Sequence, residues 1–205
     1  RMYPNFISSE AVLASENVIF TTHHAAQEPF ELTMHPFCRN AVASMDWGGT
    51  IMNKYMSQDN KSRHARQTTD IFEMASGIVN QAAVQCVAMC PNNLTDIPQF
   101  EIDWLKQMPT KWDETRFIDG YPGKYIIMAR RSGDKWYVVG LNALKEPLKL
   151  TLDLPMFAGK QFTVYCDKPL KKDQKFAEAE MKPGKLNKKG QLKVEIQPNG
   201  GLIIN

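Results

Sequence analysis

Two hydrophobic rhythms divide the chain. In the second half, short apolar runs recur without helical spacing. Tyr125-Ile126-Ile127-Met128-Ala129-Arg130 is followed by Ser132-Gly133-Asp134 and then Trp136-Tyr137-Val138-Val139-Gly140. Two β-rich runs around a polar, glycine-bearing turn predict a hairpin. Leu148, Leu150, Leu152 and Leu154 alternate with Lys149, Thr151 and Asp153, as in a strand with one buried face. Runs at 161–166, 191–196 and 201–204 add three more strands. Short strands without intervening helices predict an antiparallel β-sandwich. Residues 168–189 are Lys-rich and carry Pro169, Pro183 and Gly184, which predicts a solvated excursion.

The first half has a different period. Ile71, Met74, Ile78, Ala82 and Gln85 follow one helical spacing, and Phe72, Ala75, Val79, Ala83 and Cys86 the next. The pattern predicts a long helix over 62–90 with a broad apolar face packed on a sheet, ended by Pro91. A shorter helix is expected at 100–108, with Phe100, Trp104 and Leu105 on one face, and another from His35-Pro36-Phe37 through Ala43. Residues 25–34 read as loop, with Glu28-Pro29 as the breaker. Met45-Asp46-Trp47-Gly48-Gly49 reads as a short strand that exits into a glycine turn. Phe6 and Ile7 read as the end of another short strand.

The fold class expected is therefore α/β plus all-β, with a boundary near residue 109. Residues 1–108 hold strand–helix units, and residues 109–205 a β-sandwich long enough to fold alone. One or two strand–helix units cannot close a barrel, and their apolar faces need a cover.

Composition narrows the function classes. A net charge of +3 gives no case for nucleic acid, and the lysines do not alternate with aromatics as a stacking surface needs. No apolar run reaches membrane-spanning length. The four cysteines, Cys38, Cys86, Cys90 and Cys166, form no C-x-x-C pair. Cys86 and Cys90 fall four apart on the expected helix and read as small core residues.

The candidate chemistry lies at the start of the chain. Glu10 and Glu16 come after the apolar Phe6-Ile7 pair on a strand-to-loop exit, where catalytic groups sit in parallel α/β architectures. On spacing alone they are equally two exposed glutamates. His23-His24 invites a metal reading, but neighbouring side chains diverge and do not easily share one ion. Asp46 orients the turn beside it through local hydrogen bonds, or lines a site together with Trp47.

The run Tyr3-Pro4-Asn5, Ser9-Glu10 and Ser15-Glu16-Asn17 resembles the segment of glycoside hydrolase family 97 that carries an acidic metal ligand and the catalytic acid. Similarity continues through Pro36-Phe37-Cys38-Arg39, Met45-Asp46-Trp47, Trp112-Asp113-Glu114-Thr115-Arg116 and Gly123-Lys124-Tyr125-Ile126. Members are calcium-dependent α-glucosidases and α-galactosidases much longer than this chain, so the resemblance is to their C-terminal part. It implies the last βα units of a (β/α)8 barrel followed by the sandwich. It implies Glu16 as general acid and as a neighbour of Ca2+, with Glu10 as a Ca2+ ligand. It also implies His23, His24, Asp46 and Trp47 as sugar contacts, an oligosaccharide substrate, and an upstream part of the same polypeptide that holds the base. The family is usually exported to the periplasm. Ala11-Val12-Leu13-Ala14-Ser15 departs from the Arg-Gly pair expected between the glutamates, which touches loop geometry and substrate preference. A non-catalytic carbohydrate-binding or structural module is the alternative.

Overall fold

A ten-residue helix, buried along its entire length, holds the two halves together. The computed structural model of the protein describes all residues except 1–4, 6–8, 11, 13–14 and 83, and the backbone but not the side chain of Trp47. In chain order, a 3-10 turn at Ser15–Ile19 leads to α1 (Thr22–Met34). After a second 3-10 turn come α2 (Arg39–Val42), β1 (Trp47–Ile51) and α3 (Asp70–Val79). Next are β2 (Gln85–Ala88), α4 (Asn93–Asp96) and α5 (Gln99–Gln107). The second half is β3 (Glu114–Tyr121), β4 (Tyr125–Ser132), β5 (Lys135–Asn142) and β6 (Leu148–Asp153). It finishes with β7 (Phe162–Asp167), β8 (Ala179–Gly184), β9 (Gln191–Ile196) and β10 (Gly201–Ile204).

The second half is a β-rich antiparallel domain. Six strands form one sheet in the order β3-β4-β5-β10-β7-β8, and β6 and β9 pair as a separate two-stranded sheet. The small sheet covers one face of the large one. Leu152, Leu154, Val194 and Ile196 pack there on Ile127, Ala129, Val138, Leu202 and Ile204. The other face carries Ile126, Met128, Val139, Leu141 and Ile203, which share a core with Ile71, Phe72, Ala75 and Ile78 of α3. Both faces of β4, β5 and β10 are thus covered. That is why these strands read as unbroken apolar runs while β6 alternates.

All ten residues of α3 are buried. A helix apolar on every side belongs inside, and α3 lies between β1 on one side and β5 and β10 on the other. Its start is well specified. The Thr69 hydroxyl caps it by accepting from the Phe72 N–H at 3.1 Å, and Asp70 and Glu73 complement the positive end of the helix dipole. The Thr69 hydroxyl also donates to Asp167 Oδ2 on β7 at 2.7 Å, and the same oxygen accepts from Gly201 N at 2.9 Å. The cap therefore ties the helix to the sheet.

In the first half, β1 and β2 are parallel, and Ser9 adds a parallel bridge to Met45. The polar groups of Ile51 at the end of β1 are met by buried charges. Its N–H donates to Glu73 at 3.0 Å and its carbonyl accepts from Arg66. Arg66 is paired with Asp70, and Thr68 donates to Glu73. Buried Glu28 of α1 faces this group across the Thr68 hydroxyl. Among the described residues, no helix is long and apolar enough to cross a membrane.

Several expectations change. The helix expected over 62–90 is only α3. Beyond Asn80 the chain crosses over into β2, a buried-type apolar run that periodicity alone does not separate from helix. Cys86 is therefore on a strand and exposed, and Cys90 lies in the loop after it, so the two do not share a helical core face. Residues 25–34 belong to α1 despite Pro29. The buried face is Ala25, Glu28, Pro29, Leu32 and Thr33, an i, i+3, i+4, i+7, i+8 stripe disguised by its polar members. The Gly48-Gly49 pair lies inside β1 rather than in a turn after it. The strand absorbs the pair as a register shift between Trp47 and Thr50, with Gly49 at φ +105°. The stretch 168–189 contains β8, an edge strand, which tolerates Pro183 because its outer side needs no ladder donor. The Phe6-Ile7 strand lies outside the described residues.

Burial also sets a pH dependence. Desolvation raises Asp167 to about 7 and Glu101 to about 8. An acid whose folded value is raised keeps its proton where the unfolded chain has lost it. Its stabilising contribution is complete below the unfolded value and declines as pH rises through the folded one. A tenfold change in acidity is worth about 1.4 kcal/mol, so stability is expected to fall by several kcal/mol, to order of magnitude, between about pH 4 and about pH 8. Urea unfolding at both ends of that window checks this. Asp167→Asn, which does not titrate, is expected to flatten the decline, and a wild-type chain that gains stability over the window contradicts the account.

Candidate active site

The start of the chain is pinned to the parallel strands by a few polar side chains. Asp46 N donates to Ser9 O at 3.1 Å beside the Ser9–Met45 bridge. Arg39 on α2 clamps the same backbone. Its Nη2 donates to Ser9 O, its Nε to Glu10 O at 3.1 Å, and its Nη1 to Ala43 O at 3.1 Å. Ser15 closes the other end of the loop. Its hydroxyl contacts the carbonyls of Gly48, at 2.7 Å, and Gly49. Residues 10 and 16 are thereby brought to the same part of β1.

Glu16 lies directly on the Gly48 backbone. A Cβ at position 48 would stand 2.5 Å from Glu16 Oε2, so only glycine leaves room for the carboxyl in this position. Oε2 is buried and has no hydrogen-bond partner among the described residues. Desolvation is the largest influence on this carboxyl and raises it above the ordinary glutamate value. A backbone hydrogen bond pulls the other way, while Glu10, by charge and by hydrogen bond, and Asp46, by charge, raise it further. One half-buried carboxyl beside two exposed ones is an arrangement that retains a proton on the first. A carboxyl in such a setting can donate a proton.

The residues suit part of a cation site. Carboxylate oxygens are the donors that hard Ca2+ prefers, and it takes six to eight oxygen ligands. Among the described residues, however, no group of three or more His, Cys, Asp or Glu is placed to hold a metal ion. Glu10 and Glu16 fit as contributors to a coordination sphere completed from elsewhere.

The other expected site residues are dispersed. His23 is exposed on the first turn of α1, and His24 Nδ1 lies 3.0 Å from the Thr21 hydroxyl. Both influence Glu31. Neither is among the groups acting on Glu16. Asp46 is exposed and joins the carboxyl cluster. The Trp47 backbone is in β1, and its side chain lies outside the described residues. Sequence reasoning assigned no role to Arg39, Ser15 or Gly48. Their only signal was a place within or beside the motif runs.

Known proteins are similar to the chain along its whole length. Residues 111–205 match the family described as "Glycosyl-hydrolase 97 C-terminal, oligomerisation". The chain is 27% identical to a retaining alpha-galactosidase of Bacteroides thetaiotaomicron over 210 aligned positions, covering 100% of this chain and 31% of that protein. A solved beta-arabinopyranosidase is 48% identical with a TM-score of 0.90, covering 100% of this chain and 32% of that one. A family 97 enzyme from Pseudoalteromonas sp. strain K8, solved with acarbose, has a TM-score of 0.78 at 21% identity, again over 100% of this chain and 32% of that one. That last likeness shows the fold alone. The chain spans about a third of the length of these relatives. Residues 111–205 are thus a glycoside hydrolase family 97 C-terminal domain, and the whole chain is similar to about a third of these longer glycosidases.

Proposed function

We propose that this chain is the C-terminal part of an exo-acting α-glycosidase, with Glu16 as the general acid. The observation that carries the reading is the Glu16 carboxyl, seated on Gly48 beside Glu10 and Asp46 and held above its ordinary value. Glycoside hydrolysis needs one carboxylic acid to protonate the leaving oxygen and a second carboxyl group to attack the sugar or activate water. Glu16 takes the first role. The second, with the remaining Ca2+ ligands, belongs to the part of the polypeptide present in the longer relatives. When bound, Ca2+ would orient the sugar and polarise its oxygens next to the acid. Glu10, whose carboxylate interacts with Glu16, would be a ligand there, and Arg39 fixes the Glu10 backbone. The parallel strands and the helices between them support reading residues 1–108 as the last units of a (β/α)8 barrel, with the sandwich of 109–205 packed against it. The exposed Phe117 and Tyr121 on edge strand β3 give this domain an apolar surface suited to the oligomerisation its family description names.

The sugar we favour is galactose-like. The relatives covering the whole chain include a retaining alpha-galactosidase and a beta-arabinopyranosidase. β-L-Arabinopyranose is the ring of α-D-galactopyranose without its hydroxymethyl group, so both names describe one hydroxyl pattern. A site built to hydrogen-bond an axial hydroxyl discriminates strongly against its epimer. The full-length enzyme is expected to cleave aryl α-galactoside and aryl β-L-arabinopyranoside at least about 100-fold better than aryl α-glucoside, and the 205-residue chain alone to show no turnover. A preference for the glucoside, or calcium-dependent turnover by the chain alone, contradicts the proposal.

A further inference from the structure

The β domain carries a positively charged cleft of about 940 Å3, lined by residues of β7, β8 and the loops beside them, with no residue of the carboxyl cluster among them. Lys160, Lys182, Lys185 and Lys188 line it together with Asn205, the last residue of this sequence, and no aspartate or glutamate side chain does. Lys182 is neutralised by Glu180 at 2.5 Å. Lys160, Lys185 and Lys188 are exposed and make no ion pair among the described residues. Several unneutralised ammonium groups around one concavity repel one another and focus a positive field into it. An anionic ligand relieves that repulsion.

The cleft also carries neutral polar groups among apolar ones. Its volume lies at the upper end of the roughly 300–1,000 Å3 usual for ligand pockets, more than a single inorganic anion fills. Gln161 and Thr163 stand among the lysines and supply donors and acceptors suited to hydroxyl groups, while the Asn187 amide is engaged in its own turn by Lys189 N and Gln191 N. The nearby aromatic rings, Phe157 and Phe162, pack on each other with centroids 4.9 Å apart and are buried. They offer no platform for stacking nucleic-acid bases.

We propose that this cleft binds an acidic oligosaccharide segment, one whose sugars carry carboxylate or sulfate groups. The lysines meet the charges, and Gln161 and Thr163 meet the hydroxyls. The positive cleft stands on the structure alone. The choice of a sugar as carrier of the charge rests on the glycosidase reading, but binding is measured without turnover, so the two fail separately.

The test is calorimetric titration of the 205-residue chain with four probes: oligogalacturonate, a sulfated galactan oligosaccharide, a neutral galacto-oligosaccharide and inorganic sulfate. At least one acidic oligosaccharide is expected to bind, with affinity falling about tenfold as salt is raised from low to several hundred millimolar. The two acidic probes separate carboxylate from sulfate as the recognised group. Lys160→Gln/Lys185→Gln/Lys188→Gln is expected to weaken binding at least about tenfold, while Lys106→Gln/Lys111→Gln/Lys172→Gln, which removes equal charge elsewhere, is expected to leave it intact. All six lysines are exposed, so thermal unfolding should be unchanged, and single replacements at 160, 185 and 188 should each give part of the loss. Absence of binding by both acidic probes overturns the proposal. So does binding indifferent to the cleft variant, equal loss in the control variant, or inorganic sulfate binding as tightly as the sulfated oligosaccharide.

Discussion

Glu16→Gln in the full-length enzyme is expected to lower kcat/KM on an unactivated oligosaccharide by about 10²–10⁴-fold, the usual contribution of a general acid. Glutamine keeps the size and polarity of the side chain and removes its proton. It also keeps the fit against Gly48, where the carboxyl has no spare room. The folded structure should therefore survive, and the loss should fall on kcat more than on substrate binding. Glu10→Gln acts differently. Glu10 influences the Glu16 charge and is proposed as a Ca2+ ligand, so its replacement should change calcium dependence as well as rate.

Gly201→Ala is expected to be the most destabilising single change outside the site. Gly201 opens the central strand β10 where α3 crosses it. An added Cβ would overlap the Ile71 carbonyl and stand 2.5 Å from Phe72 N. These are backbone atoms of a fully buried helix, with no rotamer to turn aside. Gly201 N also donates to Asp167, the anchor of the α3 cap, so displacing the strand disturbs both. Overpacking of this kind costs about 3 kcal/mol or more, which for a chain of this size lowers Tm by roughly 6–12 °C. Two glycines serve as controls. At Gly140 the nearest atoms are the side-chain ends of Ile127 and Ile196, which yield more readily. At Gly133 nothing lies within 4 Å but φ is +57°, so alanine costs only the left-handed penalty of about 1–2 kcal/mol. Thermal unfolding of the three variants should rank Gly201→Ala lowest. Equal losses would mean that α3 does not press on β10.

The sheet was more legible in the sequence than the helices, for a physical reason. The runs in β4, β5 and β10 exist because both faces are covered, and the leucine alternation of β6 because one face is. Each burial pattern leaves its own period. Helix α3 was visible but overextended, because the apolar run into β2 continues its composition after the backbone changes direction. Helix α1 was hidden because its buried stripe includes Glu28, Pro29 and Thr33. Those residues look like loop until Thr68 and Arg66 are seen to meet Glu28. Edge strand β8 was hidden by the lysines and Pro183 that keep an edge from pairing further. At the site, the spacing of Glu10 and Glu16 carries little alone, and only the family resemblance singles them out. The contribution of Asp46 to the Glu16 carboxyl depends on a fold-back across 30 residues that no local pattern records. No apolar pattern records the buried ion pair of Arg66 and Asp70 or the buried carboxyl of Glu101, although Arg66 and Asp70 stand four apart beside the most apolar helix in the chain.

The most direct test of Glu16 as the acid is a leaving-group comparison. The full-length wild type and Glu16→Gln are assayed on a galactoside with a poor leaving group, such as an unactivated oligosaccharide, and on a dinitrophenyl galactoside whose leaving group departs without a proton. If Glu16 donates the proton, the variant loses about 10²–10⁴-fold on the first substrate and much less on the second. Equal losses on both would contradict that role and leave Glu16 as a residue that positions the site.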